Sequence, residues 1–273
     1  MTNGSVTGEI ARSRGELDQP SMSAQALEQF TRPLFVEAGL KPGMRVLDAF
    51  SGAGDVALLA REIVGPEGHV IGFDPSPQST AYANERATFR NLANVEFLEA
   101  QIEDLPSGAD FDAIVGRIVL AYRRDPVRDL QTLARCLRPG GLLVFQEFDL
   151  LAGRTIPPAP VVDQARQWII EAFERVGIDL QMGPKLYAVF REAGLEPPHM
   201  RLDGFIGGAE SIAPMFLARV IAVLLPQLEA LGVATAHDME IDTLEERMRL
   251  DLARTGGIMQ SPLLIGARTR QPA

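Results

Sequence analysis

A single cysteine, Cys136, stands in 273 residues. One thiol cannot close an internal disulfide or build a multi-cysteine metal site, so neither is expected, and no metal is assigned. Its setting, Leu133 to Leu137, reads as an apolar helical face, where a free cysteine behaves as a small hydrophobe. Positive charge is also short: 26 Lys and Arg face 36 Asp and Glu, a net charge of −10. Neutralising phosphates needs a basic face, so no nucleic-acid partner is expected. The opening stretch MTNGSVTGEIARSRGELDQ has no apolar core of a secretory signal, so a cytoplasmic location is the expectation. The most apolar long window, Ile212 to Leu225, holds Pro214 and Arg219 and is too short to span a bilayer. A buried or capping helix is expected there, and no membrane partner. No fixed-period repeat or low-complexity tract interrupts the chain, aromatics are few, and histidine occurs three times.

What is present is organised around Arg45 to Ala60, RVLDAFSGAGDVALLA. A short apolar run follows the turn signal Lys41-Pro42-Gly43 and ends at Asp48; a loop of small residues reaches Gly54; then Val56, Leu59, Ala60 and Ile63 recur at helical spacing. The order is strand, acid, glycine loop, helix. Glycine lets the backbone turn tightly and lets a ligand approach without meeting a Cβ, and the N–H groups at the helix start face that ligand. A second strand, His69 to Phe73, ends in Asp74, twenty residues after Gly54. An acid at this spacing takes ribose hydroxyls in nucleotide-binding βαβ units. Two readings stay open. Gly52 to Ala57 fits GxGxxA, the pattern for a nicotinamide or flavin dinucleotide. An acid at the strand end suits S-adenosylmethionine (SAM), which brings an ammonium and a sulfonium where a dinucleotide brings a pyrophosphate.

Further along, residues 1–20 read as an arm with a helical turn near Glu9 to Leu17, and Ser23 to Ala38 as a helix kinked or restarted at Pro33. Ser76 and Pro77 open a helix to Phe89 as N-cap and first helical residue. Val95 to Glu99 and Phe111 to Val115 read as strands; Asp125-Pro126 opens a helix that Arg138-Pro139-Gly140-Gly141 stops; Leu142 to Phe148 is a fifth strand. Strands alternating with helices imply an α/β fold with a parallel, doubly wound sheet and a ligand at the carboxyl ends of the strands. After Asp149 the pattern turns mainly helical: about Val161 to Val176, Pro184 to Ala193, Pro214 to Leu231 and Thr243 to Ala253, with a short run Glu196 to Leu202 and a last strand Pro262 to Ala267. Met182, Met215, Met239, Met248 and Met259 read either as core filling or as a pliable pocket wall.

The strings VLDAFSGAGD, GFDPSP, EDLP followed by FDAIVGRIVLAY, and LRPGGLLVFQEFD together resemble the class I SAM-dependent methyltransferases, in particular the bacterial small-molecule branch similar to ubiquinone/menaquinone-biosynthesis methyltransferases. The resemblance covers about residues 35–150. It implies a Rossmann-like, seven-stranded, mostly parallel sheet whose last, reversed strand is the PLLIGA run. It divides the chain into an arm and helix (1–40), a SAM-binding core (41–150) and the rest of the sheet (151–273) with helical cap insertions at 155–183 and 209–257. SAM is the implied cofactor. By that resemblance Asp48 orients the amino group of the methionine moiety; Ser51, Gly52 and Gly54 form the loop passing beneath it; and Asp74 holds the ribose with Pro75 or Ser76 against the adenine. Gln101 and Ile102 fall where the family binds the adenine ring, and Arg117 where a backbone carbonyl takes the ammonium. Gln101 replaces an acid and can still accept a hydrogen bond. Phe50 replaces the first glycine, and either packs under the loop or narrows the methionine pocket.

The implied activity is methyl transfer to O, N or C of a small, partly apolar metabolite by a monomer or homodimer. The alternatives are a SAM-fold enzyme catalysing cyclisation or elimination, a nicotinamide-dependent oxidoreductase, and a non-catalytic binding module. An O or C acceptor needs a base. His199 and His237 are the histidine candidates, since His69 starts a strand at the wrong end of the sheet; Tyr122 and Glu147, with Asp149, sit near strand ends where an acceptor would arrive.

Overall fold

The structure, a computed structural model, describes residues 22–105, 108 and 111–272. The helical turn expected at Glu9 to Leu17, and Pro106 of the EDLP string, lie outside those residues. In chain order come α1 (Met22–Ala38), β1 (Arg45–Ala49), α2 (Asp55–Val64), β2 (His69–Asp74), α3 (Pro77–Phe89), β3 (Val95–Glu99), β4 (Phe111–Arg117), α4 (Pro126–Ala134) and β5 (Leu137–Asp149). There follow β6 (Arg154–Ile156), α5 (Pro160–Arg175), α6 (Met182–Glu192), β7 (His199–Asp203), β8 (Ile206–Gly207), α7 (Ala213–Ala230), α8 (Ala236–Met239), α9 (Leu244–Thr255), β9 (Ile258–Gln260) and β10 (Leu263–Arg270). Seven strands form one sheet in the order β3-β2-β1-β4-β5-β10-β7, and β1 to β5 pair in parallel. Strand order reverses between β1 and β4, which places the ligand crevice at their carboxyl ends.

Local chemistry explains the crossover elements. Ser76 caps α3 by accepting the Ser79 N–H at 3.2 Å, with Pro77 at the first helical position. Asp125 caps α4 in the same way, accepting from Arg128 at 2.9 Å. Directly paired residues share a face of a sheet. Val46, Val70, Val95, Ala113 and Leu142 line one face, where they pack with Leu34, Phe35, Ala57, Ala60 and Phe97 in a continuous core. Each fully buried Val, Leu or Phe there contributes ~1.5–3 kcal/mol. By the same alternation Asp48, Gly72, Asp74, Arg117 and Gln146 lie on that face; Phe73, Phe145 and Glu147 lie on the other.

Contacts divide the described chain into two units, one ending its first run at Glu147 and adding Lys185–Arg201 and the residues from Gly266 on, the other made of Phe148–Pro184 and Leu202–Ile265. In the second, α5, α7 and α9 pack on one another beside a small antiparallel sheet, β6-β9-β8. Asp251 of α9 accepts the Val161 N–H at 2.8 Å and so satisfies the start of α5. Met182, Met239, Met248 and Met259 are buried and Met215 is half-buried, which favours core filling over a pocket wall.

Several sequence expectations need correction. Arg138 to Gly141 does not stop α4, which ends at Ala134. It is an excursion inside β5: pairing jumps from Phe111↔Leu137 to Ala113↔Leu142, Gly140 takes φ 74°, and Gln271 bonds the backbone of both Gly140 and Gly141. A turn-forming Pro-Gly reads the same in a helix stop and in a strand bulge. α1 runs through Pro33 without a break. The strands β6, β8 and β9 are two or three residues long, too short for periodicity to reveal. Finally α7 is an 18-residue helix, long and apolar enough by length and composition to cross a membrane, with 28% of the window buried. The length judged from Ile212 to Leu225 was too short because Pro226 lies inside the helix instead of ending it.

Candidate active site

Asp48, Asp74, Arg117 and Gln146 lie on one face at or near the carboxyl ends of four neighbouring strands. Asp74 is buried and spends its carboxylate on backbone: Oδ2 accepts the Gly52 N–H at 3.0 Å and Oδ1 the Ser76 N–H at 2.9 Å. One side chain thus ties the loop after β1 to the loop after β2. The Ser51 N–H donates to the Phe73 carbonyl at 2.8 Å and the Gly54 N–H to the Ser51 carbonyl at 2.8 Å. Gly52 and Gly54 adopt φ 51° and 83°, where a side chain is strained. A Cβ on Gly54 would also stand 2.6 Å from the Phe97 ring. The space freed by Gly54 is therefore filled by Phe97; that glycine serves packing, where the sequence suggested ligand approach.

Asp48 is 1% exposed, and its Oδ2 has no hydrogen-bond partner among the described residues. Burial pushes its carboxyl well above the usual 3.8, Asp74 and Asp55 push the same way, and Arg117 and the Ala57 N–H pull it down. Arg117 answers from β4. Its Nη1 donates to the Thr31 hydroxyl at 3.1 Å, and Thr31, fully buried in α1, donates to the Gln146 Oε1 at 2.8 Å. Burial lowers the Arg117 guanidinium, while Asp55, Asp48 and Glu28 raise it. The side chain, as well as the backbone carbonyl that the resemblance points to, therefore stands at the end of β4 among these acids. It balances Asp48 among acids that also include Asp55, which pairs with buried Arg86 at 2.8 Å.

The turn after β4 is built differently. Ile118 takes φ 57°, an outlier for a β-branched residue. Its N–H reaches the Gln146 carbonyl at 2.8 Å, and Glu147, fully buried, accepts the N–H groups of Val119 and Leu120 at 2.8 and 2.7 Å through Oε1. Burial, and then the nearby Glu147, push the Tyr122 phenol up to about 12. Arg123 donates through Nε to Asp129 at 2.5 Å, and its guanidinium lies 4.4 Å from the centroid of the Phe50 ring. Phe50, with φ 55°, also packs on Phe73, 5.0 Å between ring centroids.

Of the positions singled out by sequence, Asp48, Ser51, Gly52, Gly54, Asp74, Pro75, Ser76 and Arg117 come together at the ends of β1, β2 and β4. Gln101 is exposed and its N–H donates to Asp104 at 3.0 Å; Ile102, 2% exposed, begins a short 3₁₀ turn after β3. The Ser76 hydroxyl is committed to its capping bond. His199 does not join them. It is exposed at the start of the edge strand β7, whose Arg201 pairs with Glu37 at the end of α1, where the chain enters β1. His237 is exposed on the four-residue α8 of the other unit. His69 bonds Glu96 at 3.2 Å at the start of β2, far from its carboxyl end. Asp149 accepts from the Ala152 N–H at 3.2 Å, a turn role. Sequence reasoning missed Arg123 and Thr31. The one available signal for Arg123 was Phe50, a large residue at a glycine position needing something to pack on.

The dinucleotide reading of GxGxxA meets two obstacles. The Gly52 N–H that would face a pyrophosphate is donated to Asp74, and a second carboxylate, Asp48, adjoins the same loop. The arrangement suits a cationic ligand.

Comparison with known proteins agrees. A family model described as a methyltransferase domain matches residues 40–194. The Ubiquinone/menaquinone biosynthesis C-methyltransferase UbiE of Brucella anthropi is 35% identical over 142 residues, 50% of this chain and 51% of that protein. The 2-phytyl-1,4-naphtoquinone methyltransferase of Synechococcus elongatus is 32% identical over 183 residues, 63% of this chain and 69% of that protein. Several other curated relatives are matched over about half of their length or less. Among solved structures, a SAM dependent methyltransferase from Aquifex aeolicus superposes with a TM-score of 0.52 at 24% identity, covering 69% of this chain and 88% of that one, a likeness of fold.

Proposed function

This chain belongs to the methyltransferase-domain family, and from that premise we propose that it transfers the methyl group of SAM to O, N or C of a small, partly apolar metabolite. SAM, when bound, supplies an electrophilic methyl group on a sulfonium sulfur. The observation that carries the reading is Asp48: a buried carboxylate with one oxygen lacking a partner. An uncompensated buried charge is costly, and the ammonium of a methionine tail compensates it, whereas a phosphate would add to the cost. Asp74 fixes the Gly52 backbone beneath that tail and keeps second lone pairs on both oxygens for ribose hydroxyls. Pro75, Ser76 and Ile102 stand at the adenine end.

The chain's contribution is alignment. His199 and His237 lie elsewhere, Tyr122 stays a neutral phenol at any working pH, and Glu147 has Oε1 engaged with two amides. Holding acceptor, methyl carbon and sulfur in line can itself be worth ~7–11 kcal/mol. The same reading makes this a soluble, cytoplasmic enzyme, with α7 packed on α5 and α9 in preference to a bilayer. The names of the relatives, one a ubiquinone/menaquinone biosynthesis C-methyltransferase and the other a 2-phytyl-1,4-naphtoquinone methyltransferase, support a partly apolar acceptor.

Calorimetry with SAM and with NADPH, followed by incubation of a metabolite extract with methyl-labelled SAM, tests the proposal. SAM should bind, NADPH should not, and label should enter a small molecule. NADPH binding without SAM binding would sink the reading; tight SAM binding with no methylated product would replace it with a cyclisation or elimination on the same fold.

A further inference from the structure

The three-stranded sheet β6-β9-β8 has two unlike faces, and its outer face departs from the usual pattern. Directly paired residues share a face. Thr155, Met259 and Gly207 therefore lie on one side, and Arg154, Ile156, Ile258, Gln260 and Ile206 on the other. The first side is covered: Met259 is 2% exposed, and the buried Thr155 hydroxyl donates to Asp163 of α5 at 2.8 Å. The second is open. Ile156 and Ile206 are 52% and 68% exposed, Ile258 is half-buried and Arg154 is exposed. The solvated face of an antiparallel sheet is normally polar; here isoleucine takes three of the five outward positions. Gln260 spends its amide on the Ala152 carbonyl at 2.9 Å, and Arg154 has no partner among the described residues. An apolar surface thus ends in one unpaired cation. Arg154 and Ile206 flank Gln260 from opposite sides, two strand spacings or about 10 Å apart.

Size decides what such a face can hold. Three strands by two rows of side chains cover about 10 Å by 7 Å, roughly a tenth of the ~800 Å² per partner that a stable protein interface buries. The edge strands β6 and β8, of three and two residues, are too short to seat a further strand. A small molecule fits, and the lone guanidinium asks for an anion at one end of it. Only residues 150–153 separate β6 from the carboxyl end of β5. We propose that this face seats the methyl acceptor, and that the acceptor is a small anionic amphiphile. Its anionic group pairs with Arg154, and its apolar tail crosses the sheet beside Ile156 and Ile258 to Ile206. The assignment rests on the methyl-transfer reading above and narrows its substrate class.

The probes are octanoate, whose chain is about as long as the sheet is wide, ~10 Å, and octanol, the same chain without the charge. Calorimetry on the full-length protein should show that the wild type prefers octanoate. Arg154→Gln should lower octanoate affinity roughly tenfold and leave octanol within about twofold. Ile206→Ser should weaken both roughly tenfold. Both variants should bind S-adenosylhomocysteine as the wild type does, which shows that they are folded. Octanoate should also slow transfer of labelled methyl to the acceptor in a metabolite extract without displacing S-adenosylhomocysteine. The proposal is overturned if the wild type binds neither probe, if Arg154→Gln keeps its preference for octanoate, or if octanoate binds and leaves labelling untouched. It is overturned equally if Ile206→Ser abolishes a dimer in sedimentation or co-pelleting with phosphatidylcholine vesicles, because the face would then belong to a second copy or to a lipid surface. A wild type that binds octanoate but neither binds S-adenosylhomocysteine nor labels any metabolite overturns the methyl-transfer reading itself, which separates the two failures.

Discussion

After β1 the chain turns on Gly52 and Gly54; after β4 it turns at Ile118. The first turn is held by packing and backbone bonds: Phe97 fills the space above Gly54, and Asp74 takes the Gly52 N–H. The second is held by buried charge, with Glu147 binding two amides, Arg117 facing three acids and Ile118 kept at φ 57°. The difference teaches where ligand energy can act. A turn locked by sterics has one shape and offers a floor. A turn balanced by charges changes its energy when an ammonium or carboxylate enters.

The largest effect should come from breaking the packed turn. Gly54→Ala drives a Cβ to 2.6 Å from Phe97 in a residue at φ 83°. Overpacking and left-handed strain together cost roughly 2–5 kcal/mol. The melting temperature should fall by ~10 °C at that cost in a chain of this size. A Gly54→Ala melt within two degrees of wild type would remove sterics as the force that holds the loop. On the charged side, Glu147→Ala leaves the Val119 and Leu120 N–H groups without their acceptor. That should cost roughly 2–4 kcal/mol by denaturant unfolding. Glu147→Gln keeps an acceptor and should cost far less, while the Tyr122 phenol, followed by tyrosinate absorbance, titrates below the present value of about 12. It should stay above 10, because burial is the larger cause.

The same contrast explains what could be read from sequence. The loop after β1 and the crossovers α2 and α3 follow from short-range signals: a glycine after a strand, Ser76-Pro77 at a helix start, an acid at the end of β2. Those signals act within a few residues, so the chain announces them. Asp48 and Asp74 were legible for that reason. Arg123 and Thr31 were not, because each matters through a partner far away in sequence: Phe50 for the first, Gln146 for the second, 115 residues distant. The Gly54–Phe97 contact is of the same kind. β6, β8 and β9 escaped because two or three residues carry no period, and their sheet exists through pairing between segments roughly fifty to a hundred residues apart. The turn at Arg138 to Gly141 was visible but misplaced, since its partner Gln271 lies at the far end of the chain.

Asp48 sharpens the comparison through pH. Burial holds its carboxyl above 3.8 in the folded protein, so the folded state keeps a proton that the unfolded chain has released. The stability of the ligand-free protein should therefore fall as pH rises from about 3.8 through the raised value, and then level. Asp48→Asn should abolish that slope and be the more stable protein at neutral pH. An ammonium beside Asp48 favours the ionised carboxylate, so S-adenosylhomocysteine should bind with release of a proton and more tightly as pH rises across the same window. Asp48→Asn should flatten that profile and lose roughly ten- to a hundredfold in affinity at neutral pH. An affinity profile unchanged by Asp48→Asn, measured by calorimetry in buffers of different ionisation heat, would move the ammonium site elsewhere.

The smallest effect tests the point where the two turns touch. Phe50 sits at φ 55° on the first turn and carries Arg123 of the second. Its left-handed conformation costs ~1–2 kcal/mol, and its ring gains ~0.5–1.5 kcal/mol from the aromatic pair beyond area burial. Glycine at this position relieves the strain of ~1–2 kcal/mol but also removes the ring and its contacts. Alanine removes the ring but keeps the strain. Phe50→Ala should therefore be less stable than Phe50→Gly by ~1 kcal/mol, the reverse of the usual ranking of alanine over glycine. Equilibrium unfolding of the two variants decides it. If alanine proves the more stable, the left-handed turn at Phe50 is not enforced by the loop.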